Sequence, residues 1–232
     1  MLKPRIIWRW RSPPSGPSGS NRGTHQLAAA QPRIILASAS PRRAELLRQI
    51  GVAFEVRPVP DEDHPEATPL RVPPGSPVLQ SAEHLARTLA ESKASAVAAS
   101  LPDAVVIGAD TIVVAEQGIL GKPADAIDAA RMLRQLSGRG HHVVSAVAVQ
   151  HASEGLRLVD SAVTAVWFRS LREDEIAAYV ATGEPLDKAG AYGIQGRAAL
   201  FVDRLEGDYF TVVGLPLACL AALLERAGVR VL

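Results

Sequence analysis

Ile34-Ile35-Leu36-Ala37-Ser38-Ala39-Ser40-Pro41-Arg42-Arg43 reads as a strand running into a helix. The apolar run Ile34–Ala37 suits a buried strand, and the small residues after it suit a turn. Ser40 stands where an N-cap is expected, and Pro41 at the first helical position, where its missing N–H removes no bond. Leu46, Leu47 and Ile50 fall on one side of this helix, which stops at Gly51. Backbone N–H groups and the guanidinium groups of Arg42 and Arg43 then point at one spot beyond a strand end. That combination suits an anion, above all a phosphate. The stretch lacks the glycines and the Lys-Ser/Thr of a Walker loop, which argues against a standard P-loop ATPase. The plainer alternative is a strand–turn–helix with solvated arginines.

Outward from this stretch, the chain continues as alternating strands and helices. Strand patterns cover residues 34–37, 104–108, 111–115, 143–149 and 161–168, and helical patterns cover 82–99, 124–136, 171–181 and 217–227. Ser170 with Glu173 has the spacing of a capping box, and Pro216 opens the last helix. Gly138, Gly183 and Gly228 stop three helices. A Pro-rich, unpatterned loop lies between Val59 and Gln80. The fold class expected is α/β, a mixed twisted sheet flanked by helices, with two lobes around a cleft.

The 232 residues are 47% hydrophobic, enough for one large domain or two small lobes. Residues 1–33 carry six basic side chains and no acidic one, which leaves 19 basic against 24 acidic residues in the rest. A body charge near −5 argues against broad nucleic-acid binding. The first 32 residues set Trp8 and Trp10 among arginines ahead of a Pro/Ser/Gly tract, and so are expected to be a disordered basic extension, with residues 33–232 as the domain. A translated upstream leader that is not part of the natural protein and an Arg-rich targeting peptide are the other readings of that segment. A lone cysteine, Cys219, on an apolar helical pattern suggests a small core residue in a reducing compartment. No apolar run is long enough to span a bilayer, so a membrane partner is not expected.

Three further segments offer chemistry. Asp110, between two apolar runs, must be turned into a cleft, paired or bound to a cation, because desolvating it alone is costly. Beside bound phosphates it would hold Mg²⁺ or Mn²⁺, position water, or both. Gly121-Lys122-Pro123 is a fixed turn that aims Lys122. Asp187 to Gly196 contains three glycines in seven residues, with Lys188 suited to a phosphate and Gln195 able to donate and accept at once, as reading a base edge requires. His141 and His142 lack metal-ligand spacing and read as the polar start of a strand. No nucleophile with a supporting base is apparent.

Together SASPRRAELL, GADTIVV, GKP, AARMLRQLSG, EPLDKAGAYGIQG and GDYFTVVGLP, in that order over about residues 33–227, resemble the Maf family of nucleoside triphosphate pyrophosphatases. The DKAGAYGIQG form resembles the subfamily acting on dTTP and UTP rather than the sister subfamily acting on 7-methyl-GTP. The resemblance implies hydrolysis of a nucleoside triphosphate to monophosphate and pyrophosphate with a divalent metal, in the cytoplasm, by a chain that often forms homodimers. It implies Asp110 as proton acceptor and metal ligand, with Glu62 or Asp63 as a second acidic residue near the metal. Arg42, Thr111 and Gln195 match specificity positions, and Ser38, Arg43, Lys93, Lys122 and Lys188 would line the phosphate site. The loop from Pro65 to Pro77 is longer than the family norm. Two alternatives stay open: a nucleotide-binding regulator of cell division without turnover, and the related inosine-triphosphate pyrophosphatase type with purine preference.

Overall fold

The computed structural model describes residues 32–59 and 78–232. Nearly all of the expected basic extension lies outside the described residues, as does most of the Pro-rich loop with Asp61, Glu62 and Asp63. In chain order the described elements are β1 (Ile34–Leu36), α1 (Pro41–Gln49), β2 (Glu55–Val56), α2 (Val78–Ala98), β3 (Val105–Ala115), β4 (Gly118–Leu120) and α3 (Ala126–Leu136). There follow β5 (Gly140–His151), β6 (Leu156–Phe168), α4 (Glu173–Val180), β7 (Val202–Glu206), α5 (Tyr209–Val213) and α6 (Leu217–Arg226). Three short 3-10 turns, Glu184–Asp187, Ala189–Ala191 and Arg197–Phe201, bridge α4 to β7.

The described strands form one mixed sheet in the order β2-β1-β3-β5-β6-β7, with β4 on β3. β1 runs parallel to β2 and β3, and the other pairings are antiparallel. Alternation along β3 divides the core. Val105, Ile107, Ala109 and Val113 pack in the cluster holding Leu46, Leu47, Leu220 and Leu224, while Val106, Ile112 and Val114 pack beneath α2.

One feature of β3 positions the site. Along one edge it pairs continuously with β5. Along the other it pairs with β1 only at Val105–Ile107 and with β4 only at Val113–Ala115. Along that edge residues 108–112 therefore have no strand beside them among the described residues, and a notch opens in the sheet. Asp110 and Thr111 sit in this notch and are the two residues of β3 that are not buried.

The helix above the notch approaches closely because its inner face is alanine. Ala82, Ala86, Ala90 and Ala94 recur every fourth residue, all fully buried. Gly108 lies directly beneath: a Cβ there would collide with the Ala90 carbonyl and come 2.7 Å from the Ala94 nitrogen. Small residues on both sides let the backbones touch, and that contact fixes the height of α2 over Asp110.

Several expectations need correction. The runs 104–108 and 111–115 are one continuous strand, because Gly108 and Asp110 keep their register with Ala148 and Ala146 of β5. The polar residue interrupts the apolar pattern without interrupting the backbone pairing. The capping box is two residues later than expected: the Glu175 carboxylate accepts from the Arg172 N–H at 3.0 Å, and Glu173 turns outward to pair with Arg134. α2 begins at Val78, four residues early, and β2, β4 and β7 are too short to show a pattern. Cys219 is half-buried at the core margin, its Sγ 4.0 Å from the Ser161 carbonyl. His141 is buried inside β5, where its Nε2 meets the Tyr192 hydroxyl at 2.8 Å and its ring packs edge-on against Phe168. No helix among the described residues is long and apolar enough to cross a membrane.

Candidate active site

The N-terminus of α1 abuts the notch. Leu36 is paired with Ile107, and the Ala37 N–H donates to the Ile107 carbonyl at 2.8 Å, so the chain leaves β1 just where β3 becomes unpaired. Ser40 occupies the N-cap position with Pro41 after it, but its hydroxyl makes no capping bond. The Ser38 hydroxyl instead accepts from the Ser40 N–H at 3.2 Å and from Arg43 Nη1 at 3.0 Å.

Arg43 is buried, with 8% of its surface exposed. Its Nε donates to the Gly214 carbonyl at 3.0 Å and its Nη2 to Thr111 Oγ1 at 3.3 Å. One guanidinium thus ties the strand–helix turn, the middle of β3 and the turn before α6. Such a planar fork holds three acceptors in fixed directions, which lysine does not do. Thr111 in turn meets Ser145 of β5, oxygen to oxygen at 2.8 Å.

The other face of the same strand holds an ion pair. Lys93, from the last part of α2, approaches Asp110 Oδ1 at 2.8 Å, and each side chain keeps 15% of its surface exposed. A partly buried carboxylate here is met by an ammonium rather than left alone, as its desolvation requires.

Arg42 lies toward the 3-10 region. Its Nη1 is 3.7 Å from Asp187, and Asp187 also accepts from Lys188 Nζ at 2.6 Å. Burial pushes the Asp187 carboxyl up, but the hydrogen bond and charge of Lys188, with Arg42 beyond, hold it below the ordinary range. Lys188 also donates to the Glu184 carbonyl at 2.5 Å. The turn bearing Lys122 is linked to this region through the Gly190 N–H, which donates to the Gly121 carbonyl at 3.0 Å, and Lys122 itself is exposed. Gln195 is exposed on the turn between the second and third 3-10 segments.

The three glycines of this loop turn out to serve the protein's own packing. A Cβ at Gly190, which has φ +69°, would press on Val113 at 3.0 Å. One at Gly193 would meet Lys188 at 2.7 Å, and one at Gly196 would collide with the Glu184 carboxylate. That carboxylate accepts from the Tyr179 hydroxyl at 3.0 Å and from the Arg197 N–H at 3.2 Å. The glycines let the loop fold tightly around Lys188 and Glu184 and lie against β3.

Of the expected site residues, Ser38, Arg43 and Thr111 share one hydrogen-bonded cluster, Lys93 and Asp110 form a second, and Arg42 and Lys188 meet through Asp187. The first two clusters join through the peptide between Asp110 and Thr111, and the first and third through neighbouring Arg42 and Arg43. Glu62 lies outside the described residues. Sequence reasoning did not single out Ser145 or Glu184, and it read Gly214 only as part of a tight turn and helix entry. Ser145 carried a usable signal, a hydroxyl inside the apolar run 143–149, whereas Glu184 carried none.

A phosphate-suited strand–helix turn, a paired carboxylate in a sheet notch and a lysine-bearing glycine loop therefore occur in one arrangement. The pattern of the family described as Maf-like protein matches residues 33–227. The chain belongs to the Maf family. Among its relatives, the dTTP/UTP pyrophosphatase of Moorella thermoacetica is 53% identical over 199 residues, covering 86% of this chain and 97% of that protein. The dTTP/UTP pyrophosphatase of Pelotomaculum thermopropionicum is 51% identical over 86% of this chain and 98% of its own length. That of Aromatoleum aromaticum is 52% identical over 85% and 97%. Among solved structures, the Staphylococcus aureus Ham1 protein is similar over 84% of this chain and 99% of its own, with a TM-score of 0.44 and 17% identity. In this Maf chain the matched region begins at Arg33, so residues 1–32 lie outside it.

Proposed function

We propose that this protein hydrolyses nucleoside triphosphates, dTTP and UTP foremost, to the monophosphate and pyrophosphate, removing them from the cytoplasmic nucleotide pool. The observation that carries this reading is the Asp110–Thr111 pair in the notch. It places a carboxylate on one face of the sheet and an arginine-bound hydroxyl on the other, at the N-terminus of α1. Relatives named dTTP/UTP pyrophosphatase, matched over nearly their whole length, support the substrate choice.

A triphosphate brings several negative charges, and cleavage builds more charge on the departing pyrophosphate. Arg42, Lys93, Lys122 and Lys188 supply positive charge around the notch and are the groups to stabilise it. Arg43, bound on three sides by protein acceptors, keeps the α1 turn in shape so that its N–H groups face the phosphates. Asp110 is the group to orient an attacking water and accept its proton, and Lys93 keeps that carboxylate aimed from above.

A divalent cation fits this donor set in one way. Among the described residues there is no group of three or more His, Cys, Asp or Glu that could hold a metal ion. Among the described residues Asp110 is the group that would hold Mg²⁺ or Mn²⁺, with phosphate oxygens and water filling further positions, as is usual for magnesium–nucleotide sites; Glu62, expected near the metal, lies outside the described residues. When bound, the cation neutralises phosphate charge and lowers the pKa of coordinated water.

The test is incubation of the purified chain with a panel of triphosphates and Mg²⁺ or Mn²⁺, with products followed by phosphorus NMR. UMP or dTMP with pyrophosphate is the expected outcome. Diphosphate with orthophosphate refutes it, and tight binding without product assigns the chain to nucleotide-dependent regulation instead.

A further inference from the structure

Ser145 lies in the middle of β5, directly opposite Thr111 in the strand register, and is completely buried. Its hydroxyl touches two groups: the Thr211 carbonyl at 2.7 Å and Thr111 Oγ1 at 2.8 Å. A hydroxyl has one proton and two lone pairs, a carbonyl oxygen only accepts, and a guanidinium only donates. These rules fix the hydroxyl protons of Ser145 and Thr111. The Ser145 proton goes to the Thr211 carbonyl. In the 2.8 Å contact with Thr111, Ser145 is then the acceptor and Thr111 the donor. The Gly214 carbonyl is a weaker claimant for the Thr111 proton at 3.4 Å, and it already accepts from Arg43 Nε at 3.0 Å.

Thr111 has thus given its only proton to Ser145 and one lone pair to Arg43 Nη2. What remains is one lone pair, on a residue that is half-buried in the notch. The approach beside it is kept open by Gly214, where a Cβ would sit 3.3 Å from Thr111 Oγ1. The Thr211 carbonyl that orients Ser145 is itself anchored: Asp208 accepts from the Thr211 N–H and from its hydroxyl, both at 2.8 Å.

We propose that Ser145 is a positioning residue that makes Thr111 an obligate hydrogen-bond acceptor toward the bound nucleotide. The site then favours substrates that present a donor there and repels phosphate oxygens, which only accept. In a pyrimidine nucleotide the donor is either the imide N–H of uracil or thymine, absent from cytosine, or a sugar hydroxyl. This inference rests on the nucleotide reading of the notch given above.

The experiment is a double-mutant cycle of Ser145→Ala and Thr111→Val, read as kcat/KM for UTP, CTP and 2′,3′-dideoxy-UTP. Dissociation constants for α,β-methylene-UTP are measured by calorimetry on the same proteins. Loss of one oriented hydrogen bond is expected to lower kcat/KM for UTP in Ser145→Ala by about five- to tenfold, mostly through KM. In the Thr111→Val background the same change is expected to alter kcat/KM less than about twofold, because Ser145 then has no hydroxyl to orient. Loss of the Ser145 effect with CTP assigns the donor to the imide, and loss with the dideoxy nucleotide assigns it to the sugar. An effect of equal size for all three substrates, or undiminished in Thr111→Val, overturns the proposal and leaves Ser145 a packing residue. Should Ser145→Ala not fold, Ser145→Cys keeps the volume with a weaker donor and is expected to fall between wild type and that loss. A wild-type chain that binds the analogue but cleaves nothing leaves the cycle readable through the dissociation constants. One that binds no nucleotide overturns both readings.

Discussion

Asp110 and Thr111 are consecutive residues of one strand, yet their side chains lie on opposite faces of the sheet in very different surroundings. Under α2, Asp110 meets one ammonium against a floor of alanines. On the other face, Thr111 belongs to a buried network of Arg43, Ser38, Ser145 and the carbonyls of residues 211 and 214. Among the described contacts, the first arrangement joins β3 to α2 through one ion pair. The second ties β1, α1, β3, β5 and the turn before α6 together. On the proposed function the difference separates two tasks: the α2 face would carry the reacting group, and the Thr111 face the frame that receives the nucleotide. Variants on the first should lose turnover while keeping stability, and variants on the second should lose both.

The largest expected effect is Asp110→Asn. Removing a general base lowers kcat on the order of 10²- to 10⁴-fold. Stability should change by about 1 kcal/mol or less, since the amide oxygen still accepts from Lys93. Steady-state kinetics and urea unfolding on one preparation read both. Lys93→Met should lower kcat roughly ten- to a hundredfold through loss of an oriented charge. A large fall in the urea midpoint of either variant would erase the contrast between the faces.

Arg43→Met tests the other side. It strands three acceptors that a buried guanidinium now satisfies, and should cost about 3 kcal/mol of stability along with a raised KM. Unchanged stability would mean that the network does not act as a frame.

His141, elsewhere in β5, supplies a pH check on the buried frame. Burial, with the neighbouring His142 charge, pushes its pKa down from 6.5 to about 4. The unfolded chain therefore takes up a proton between pH 6.5 and 4 that the folded chain does not. Stability should fall as the pH drops through that window, by up to about 3 kcal/mol. His141→Gln, which keeps a partner for Tyr192 but does not titrate, should unfold with a shallower pH dependence. An identical slope in both proteins would show that His141 contributes nothing.

The smallest effect is expected at Asp187→Asn. Its contact with Arg42 is long, and Asp187 is well exposed, so stability should shift by less than about 1 kcal/mol. A larger loss would make the Arg42–Asp187–Lys188 group a third structural centre rather than a rim of the site.

The strand–helix turn at residues 34–43 was legible because local rules decide it: an apolar run, a small-residue turn and proline at the first helical position. Asp110 was legible because a charge inside an apolar run has few physical outcomes. Its membership in one unbroken strand was not, since backbone pairing with β5 is set by a partner some 36 residues away in sequence and leaves no mark on the local pattern. Three glycines within residues 190–196 point to a backbone held close to something, and that something is Val113, Lys188 and Glu184. Composition shows that backbone comes close to something, and only tertiary structure says to what. Ser145 showed in the sequence as a hydroxyl inside an apolar run, but what that hydroxyl meets is set by its neighbour across the sheet.

The division of labour within the notch is tested most directly by separating binding from chemistry in Asp110→Asn. Calorimetric titration with UTP should give an affinity within about threefold of wild type, while single-turnover release of pyrophosphate from the bound nucleotide slows more than about a hundredfold. Lost affinity together with an undiminished rate for whatever UTP still binds would make Asp110 a binding group and contradict the account.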